Sequence, residues 1–342
     1  MRVLATIGFS FSAGVFLAAL LPWNGWQLYA AGGVLLLALA WLFAARKQKY
    51  FRRGLLLLLP LAVSLAYFAG YDHLVRQPIE DRCGAASDFT ATVCDWPQAT
   101  ERGAKITVEL EGYHRARAVL YGEAELLAAR PGDTVTGTAQ WQSAAHFDSD
   151  DVTHFNARGV YALLYGREDV RLSAGDGDAL RWLPQRAGKA FREKVAAIWD
   201  DPRVSGFLTA ELTGDKSAMD DGDYLAMQET GLAHLFAVSG LHCAFLVTLL
   251  ALLISRRQRL LCAVTIPLLL FYMVMVGMSP SVVRACIMQI FLLIAPLFRR
   301  GSDPLTSLAA ALLLILLCNP FAAASVSLQL SFSATLGMVL LS

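Results

Sequence analysis

The sequence predicts a polytopic α-helical membrane protein interrupted by a small all-β domain. Three observations predict it. Long apolar runs fill both ends of the chain. Of its 342 residues 56% are hydrophobic and 17% charged, whereas a soluble domain is about a quarter charged. Between the runs, residues 83–175 alternate apolar and polar with the period of a half-buried strand. Basic clusters then close alternate runs, the pattern that short cytoplasmic loops carry. The mean hydropathy of +0.48 agrees with this class, and the formal net charge of +1 excludes no partner.

The first apolar run, 3–21, reads as a retained helix, because no small-residue cleavage site follows and a second run begins almost at once. Pro22-Trp-Asn-Gly-Trp26 reads as a turn with interfacial tryptophans. Spans at 27–45 and 54–71 flank the loop 46–53, which holds Arg46, Lys47, Lys49, Arg52 and Arg53. That loop sets the amino terminus in the cytoplasm and sends residue 72 onward to the far side. Residues 1–72 are thus expected to form three transmembrane helices, and 73–180 an extracytoplasmic β domain. That side is oxidising, so a Cys83–Cys94 disulfide is an expectation, with two unpaired thiols as the alternative.

Within the β domain, alternation marks strands at Phe89–Asp95, Lys105–Glu111, Arg115–Tyr121, Thr134–Trp141 and Val160–Leu172. Asp150–Arg158 reads as a short helix before the last strand. Five strands so arranged suit a small OB-like barrel. Such barrels often bind single strands through basic grooves and aromatics. Here residues 83–175 hold eight Lys/Arg against thirteen Asp/Glu, a difference of −5. An acidic domain lacks the usual footprint for phosphate, although Arg115 and Arg117 form a local basic strip.

Residues 181–229 read as amphipathic or interfacial helices. Phe191, Val195, Ile198 and Trp199 recur at helical spacing beside Arg186, Lys189, Arg192 and Lys194. This helix suits either a membrane surface or the face of a soluble domain. Asp201-Pro202 starts the next helix, which ends near Gly214. Gly214-Asp-Lys-Ser217 is not a phosphate loop, since Asp215 stands where glycine must precede the lysine.

From 230 to 342 five further spans are expected, at 232–254, 260–277, 281–298, 304–318 and 324–341. Arg256-Arg257, Arg259 and Arg299-Arg300 fall on the same side as the 46–53 loop. The chain stops at Ser342 at the end of an apolar run, from which truncation of a longer gene is expected.

Polar side chains inside such runs are costly and point to function. His234 and His242 lie eight residues apart on one helix face. Two histidines lack a third ligand for zinc, so no metal and no cofactor are assigned. Ala237-Val-Ser239-Gly240 resembles the nucleophile motif of rhomboid intramembrane proteases, but no histidine occurs in the later spans to serve as base. Ser239-Gly240 instead suits a helix break or a close helix contact. Arg284 and Gln289 sit within the sixth span. In the eighth, Ser325, Ser327, Gln329, Ser331 and Ser333 alternate with apolar residues, which predicts a distorted start.

A series of motifs follows in order: Gly214-Asp-Lys-Ser, Thr230-Gly-Leu-Ala-His-Leu-Phe-Ala-Val-Ser-Gly-Leu-His242, Ser279-Pro-Ser-Val-Val-Arg-Ala285, Asp303-Pro-Leu-Thr306, Asn319-Pro-Phe321 and Leu328-Gln-Leu-Ser-Phe332. In combination they resemble the ComEC-type DNA-internalisation competence family. The resemblance implies a channel component carrying single-stranded transforming DNA across the bacterial cytoplasmic (inner) membrane, with 73–229 outside. It implies His234, Ser239, Gly240, His242, Arg284, Gln289 and Gln329 as channel or channel-support positions. It also implies the lipid bilayer, a DNA receptor outside and helicase or recombination machinery inside as partners, and leaves a homo-oligomer open. The His-x-His-x-Asp-His signature of the family's metallo-β-lactamase-like domain is missing from these 342 residues, so no hydrolase activity is assigned. Two alternatives remain: an intramembrane serine hydrolase using Ser239, and a transporter of another anionic polymer or lipid.

Overall fold

A computed structural model describes residues 3–20, 26–44, 51–101, 103–113, 116–145, 154–167, 169–177, 179–199, 201–214, 219–230, 240–254, 257–298 and 303–341. They form two compact units: 1–177 with 305–342, and 178–304. Residues 230–342, continuous as an apolar region in sequence, divide between the two.

The first unit opens with helices α1 (Val3–Leu20), α2 (Trp26–Ala44) and α3 (Phe51–Tyr71). They are apolar on nearly every side, so their side chains give the packing no preferred polar face. Small residues set it instead. A Cβ on Gly14 of α1 would collide with Ser64 and Leu61 of α3, and a Cβ on Gly8 would stand 2.8 Å from the carbonyl of Ala309. The buried hydroxyls are satisfied: Ser12 donates to Gly8 O at 2.7 Å, and Ser10 to Leu57 O.

The sequence ends the third span at residue 71, but the helix does not stop there. A π-helical turn (Asp72–Arg76) and α4 (Gln77–Glu80) extend it. The stretch Arg53–Glu80 counts 28 residues. At ~1.5 Å per residue it spans about 42 Å, more than a hydrocarbon core of about 30 Å. Its polar end, where Asp72 is fully buried against Arg76, therefore extends past the apolar part.

The β domain follows as β1 (Ala86–Val93), β2 (Gln98–Thr100), β3 (Gly103–Leu110), β4 (Arg117–Gly122), β5 (Thr134–Ser143), β6 (Val160–Gly166) and β7 (Arg171–Ser173). The sheet runs β1-β3-β4-β6-β5, and β5 pairs again with β1, which closes a five-stranded barrel. Among the described residues only the β4–β6 pairing is parallel. Closure leaves those five strands without an open edge. Inward residues such as Ala91, Ile106, Leu120, Ala139, Trp141 and Leu164 are at most 1% exposed and fill the interior. Gly137 is needed in β5: its φ is 157° and a Cβ there would lie 2.8 Å from Val170 Cα.

The barrel expectation thus holds, with corrections of detail. Val160–Leu172 is two strands, split by a turn in which Val170 N–H reaches Arg167 O. The strand β2, three exposed residues, carries no alternation to find. The helix expected at 150–158 is described as α5 (His154–Ala157), while 146–153 lie outside the described residues.

The Cys83–Cys94 pairing is also corrected, for both are thiols. Cys83 donates to Ile79 O at 3.4 Å and Cys94 to Thr92 O at 3.6 Å. The whole of β1 lies between them. Eight extended residues span roughly 26 Å, whereas a disulfide needs Cα atoms about 4–7 Å apart. Burial, with the Glu80 carboxylate adding to it, pushes the Cys83 thiol up to about 11. Without reductant, mass spectrometry is expected to find both cysteines alkylated by iodoacetamide. At pH 8, Cys83 is expected to react about 100-fold more slowly than a thiol of pKa about 9, because only the thiolate reacts. A Cys83–Cys94 peptide surviving in non-reduced digests would contradict this geometry.

The chain returns to this unit with α12 (Pro304–Cys318), a 3₁₀ turn (Pro320–Ala324) and α13 (Val326–Leu341). The distortion expected at the start of the eighth span lies before it, in the 3₁₀ turn. The helix itself starts at Val326, where Leu328 N–H donates to Ser325 Oγ at 3.4 Å. Asn319-Pro-Phe321 is where helices and barrel meet. Asn319 Nδ2 donates to the carbonyls of Asn156 (2.8 Å) and Ala157 (3.1 Å) in α5. Phe321 is fully buried among Phe68, Tyr71 and Tyr161, with the Arg76 guanidinium 5.5 Å from its ring centre. Burial and the neighbouring Tyr71 raise the Tyr161 hydroxyl well above its ordinary value.

The second unit holds α6 (Leu183–Ile198), α7 (Pro202–Thr213), α8 (Asp221–Glu229), α9 (Gly240–Ile254), α10 (Gln258–Met275) and α11 (Pro280–Ile294). As expected, α7 starts at Asp201, whose carboxylate accepts from Arg203 N–H at 2.9 Å, and ends at Gly214 with φ 74°. The amphipathic α6 packs on α7 and α10, and a Cβ on Gly188 would stand 3.0 Å from the Met275 carbonyl.

Candidate functional site

The site is assembled where α9 crosses α11. Gly240 opens α9, and a Cβ there would touch Ala285 at 3.6 Å. One turn on, Cys243 and Cys286 meet with their sulfurs 3.4 Å apart, both fully buried. Leu261, Leu269, Val276, Val282 and Leu293 complete the apolar layer among α9, α10 and α11. At Gly240 the two helices are at ordinary contact distance, and small side chains line both of them there.

Around this crossing lie the polar groups. His242 Nε2 stands 3.8 Å from Glu211 Oε1 of α7, both side chains partly exposed. Arg284 is half-buried, its Nη1 3.7 Å from Met288 Sδ one turn along α11. Gln289 is half-buried too, on the same helix. At the far end of α10, Gln258 Nε2 donates to Leu293 O at 2.8 Å and Cys262 Sγ to the same carbonyl at 3.2 Å.

Of the seven positions expected from sequence, Gly240, His242, Arg284 and Gln289 fall in this unit. Gln329 belongs to the other, where its Nε2 donates to Ala323 O at 2.8 Å and holds the 3₁₀ turn before α13. His234 and Ser239 lie outside the described residues. Sequence reading missed Glu211. The pair forms across 31 positions, between two different helices. The one available signal was a carboxylate on a helix of buried threonines, Thr209 and Thr213.

Barrel and helices together define a class. It is a multi-helix protein with a small β-barrel. Among the described residues four helices are long and apolar enough to cross a membrane: Val3–Leu20, Arg53–Glu80, Gln258–Met275 and Ser281–Phe298. Shorter apolar helices accompany them at Gly240–Ile254, Pro304–Cys318 and Val326–Leu341.

The particular family comes from comparison. Residues 212–342 match the family model described as Competence protein. Over 142 residues the chain is 31% identical to ComE operon protein 3 of Bacillus subtilis (strain 168). That alignment covers 41% of this chain and 18% of the relative. No solved structure matches the chain. Residues 212–342 are thus similar to the competence family, and the chain spans 18% of the length of the relative it matches.

Proposed function

We propose that this chain is a component of the channel that carries single-stranded transforming DNA across the bacterial cytoplasmic membrane. The competence-family match over 212–342 carries the reading. The half-buried polar groups on apolar helices support it. A polyanion moving among such helices needs water, cations and donors. Here Arg284, Gln289 and His242 supply them, beside the contact of α9 with α11 at Gly240 and Ala285. Gln329 acts at one remove, by fixing the turn on which α13 starts. His234 and Ser239 join this set by motif alone.

In the same reading the barrel and α6 lie on the extracytoplasmic side, because the basic clusters at 46–53, 256–259 and 299–300 stay inside. The seat of α6 on the Met275 end of α10 supports a position at the membrane surface. A DNA receptor outside and a helicase or recombination machinery inside are the partners this role calls for.

Deleting the gene is expected to abolish transformation by added DNA while DNA still binds to the cell surface. Alkaline phosphatase fused after residue 175 is expected to be active. Normal transformation of the deletion strain overturns the transport role, and an inactive phosphatase with an active cytoplasmic reporter at the same fusion point overturns the sidedness.

A further inference from the structure

The outer face of the barrel carries a row that the conduit does not use. Register places Lys105, Tyr121, Tyr165 and Gln140 side by side on β3, β4, β6 and β5. All four point outward, since their strand neighbours Ala104, Leu120, Leu164 and Ala139 fill the interior. The two tyrosine rings are stacked, with centroids 5.2 Å apart and planes 12° from parallel. In register, Lys105 flanks Tyr121 on one side of the pair and Gln140 flanks Tyr165 on the other.

This pair does not belong to the contact between barrel and helices. On β6 the outward residues Tyr161 and Leu163 are each 1% exposed, because the helical parts of the unit cover them. Tyr165, two positions further, is 38% exposed. Tyr121 on β4 is partly covered and Tyr165 on β6 is open, so the stack is reachable from outside the barrel through its second ring.

We infer that the Tyr121–Tyr165 stack is a base-stacking step for single-stranded nucleic acid, with Lys105 beside it for a phosphate. The inference rests on the DNA reading above and gives it a first contact on the barrel. Every base has a flat π-face, so stacking tolerates any sequence, as an uptake system requires. The charge around the row shapes the result. Beyond Tyr165 a hollow is lined by Glu123, Thr138, Gly166, Arg167 and Asp169. The Thr138 hydroxyl donates to Asp169 at 2.5 Å and holds that carboxyl below its usual range, so it stays charged. The Tyr121 hydroxyl is pushed up by burial and by Tyr165, so it stays neutral. Affinity therefore comes from the rings and little from cations, and the strand is held loosely enough to be released.

The test uses the full chain in lipid nanodiscs and a fluorescent oligothymidylate, read by anisotropy. Tyr121→Ala and Tyr165→Ala are each expected to weaken binding roughly 5- to 150-fold, the range for one lost base stack. Tyr121→Phe and Tyr165→Phe keep the ring and are expected to bind within about twofold of the parent. With one or two phosphates engaged, the slope of log affinity on log salt is expected near −0.7 to −1.4, since single strands give about −0.7 per phosphate.

Alanine variants that bind like the parent overturn the platform, as does a slope several times steeper. Retention on neutral glycan strands with no oligonucleotide binding also overturns it and assigns the rings to sugar. These failures are distinct from failure of the DNA reading, which falls only if the deletion strain transforms normally.

Discussion

Phe321→Ala is expected to destabilise the first unit by about 3–5 kcal/mol, the usual cost of emptying a buried phenylalanine site. Phe321 is fully buried and touches both sides of the joint. Phe68 and Tyr71 belong to α3, and Tyr161 belongs to β6, with ring centres 5.1–6.0 Å away. Removing the ring leaves a cavity that three large side chains from different elements cannot close together. Thermal unfolding in detergent is expected to shift down, and amides of β6 and α5 are expected to lose hydrogen-exchange protection before those of β1 and β3. Asn319→Ala adds a smaller effect, about 1–3 kcal/mol, by taking the side-chain donor from two carbonyls of α5. If Phe321→Ala melts like the parent and exchange in β6 is unchanged, the joint does not depend on this ring.

Arg76→Ala is expected to be as severe, about 3–5 kcal/mol, for an electrostatic reason. Asp72 has a side-chain exposure of 0% and Arg76 of 9%. Arg76 binds Asp72, reaches Glu80 at 3.5 Å and lies over the Phe321 ring. Gln77 Nε2 donates to Asp72 at 3.2 Å but brings no charge. Without Arg76 a carboxylate is stranded inside the protein. The double change Asp72→Asn with Arg76→Met removes both charges and keeps the volume, so it is expected to lie closer to the parent than Arg76→Ala alone. Equal losses in the single and double variants would show that neither the stranded charge nor the lost volume sets the cost, and would place it in the guanidinium's contacts with Glu80 and the Phe321 ring.

Particular elements explain what could be read beforehand. The spans were legible because runs of nearly 20 apolar residues have few other uses. The helix α7 was legible at both ends because Asp201 and Gly214 are the residues that helix termini prefer. The strands β1, β3, β4 and β5 were legible because each has one face inside the barrel and one outside. By contrast β6 is buried at every position from Val160 to Leu164, since helices cover its outer face. Its buried run therefore gave no sign of where the strand ends and concealed the turn before β7. The Asn319-Pro-Phe motif read only as a turn, although its side chains form the joint with the barrel. Glu211 and His242 showed no relation until α7 and α9 were brought together.

The sequence by itself determined that long apolar helices flank a small barrel and, through its motifs, the likeness of residues 212–342 to the competence family. These follow from local composition and period, which each segment carries alone. The tertiary structure decided that α12 and the 3₁₀ turn after it pack with the amino-terminal helices and the barrel, that Cys83 and Cys94 stay apart, and that Gln329 supports a turn. It also set Tyr121 against Tyr165 on neighbouring strands. Each of these depends on which distant segments meet. In nearly featureless apolar helices that choice is made by glycine-sized gaps and single buried polar contacts, which periodicity does not reveal.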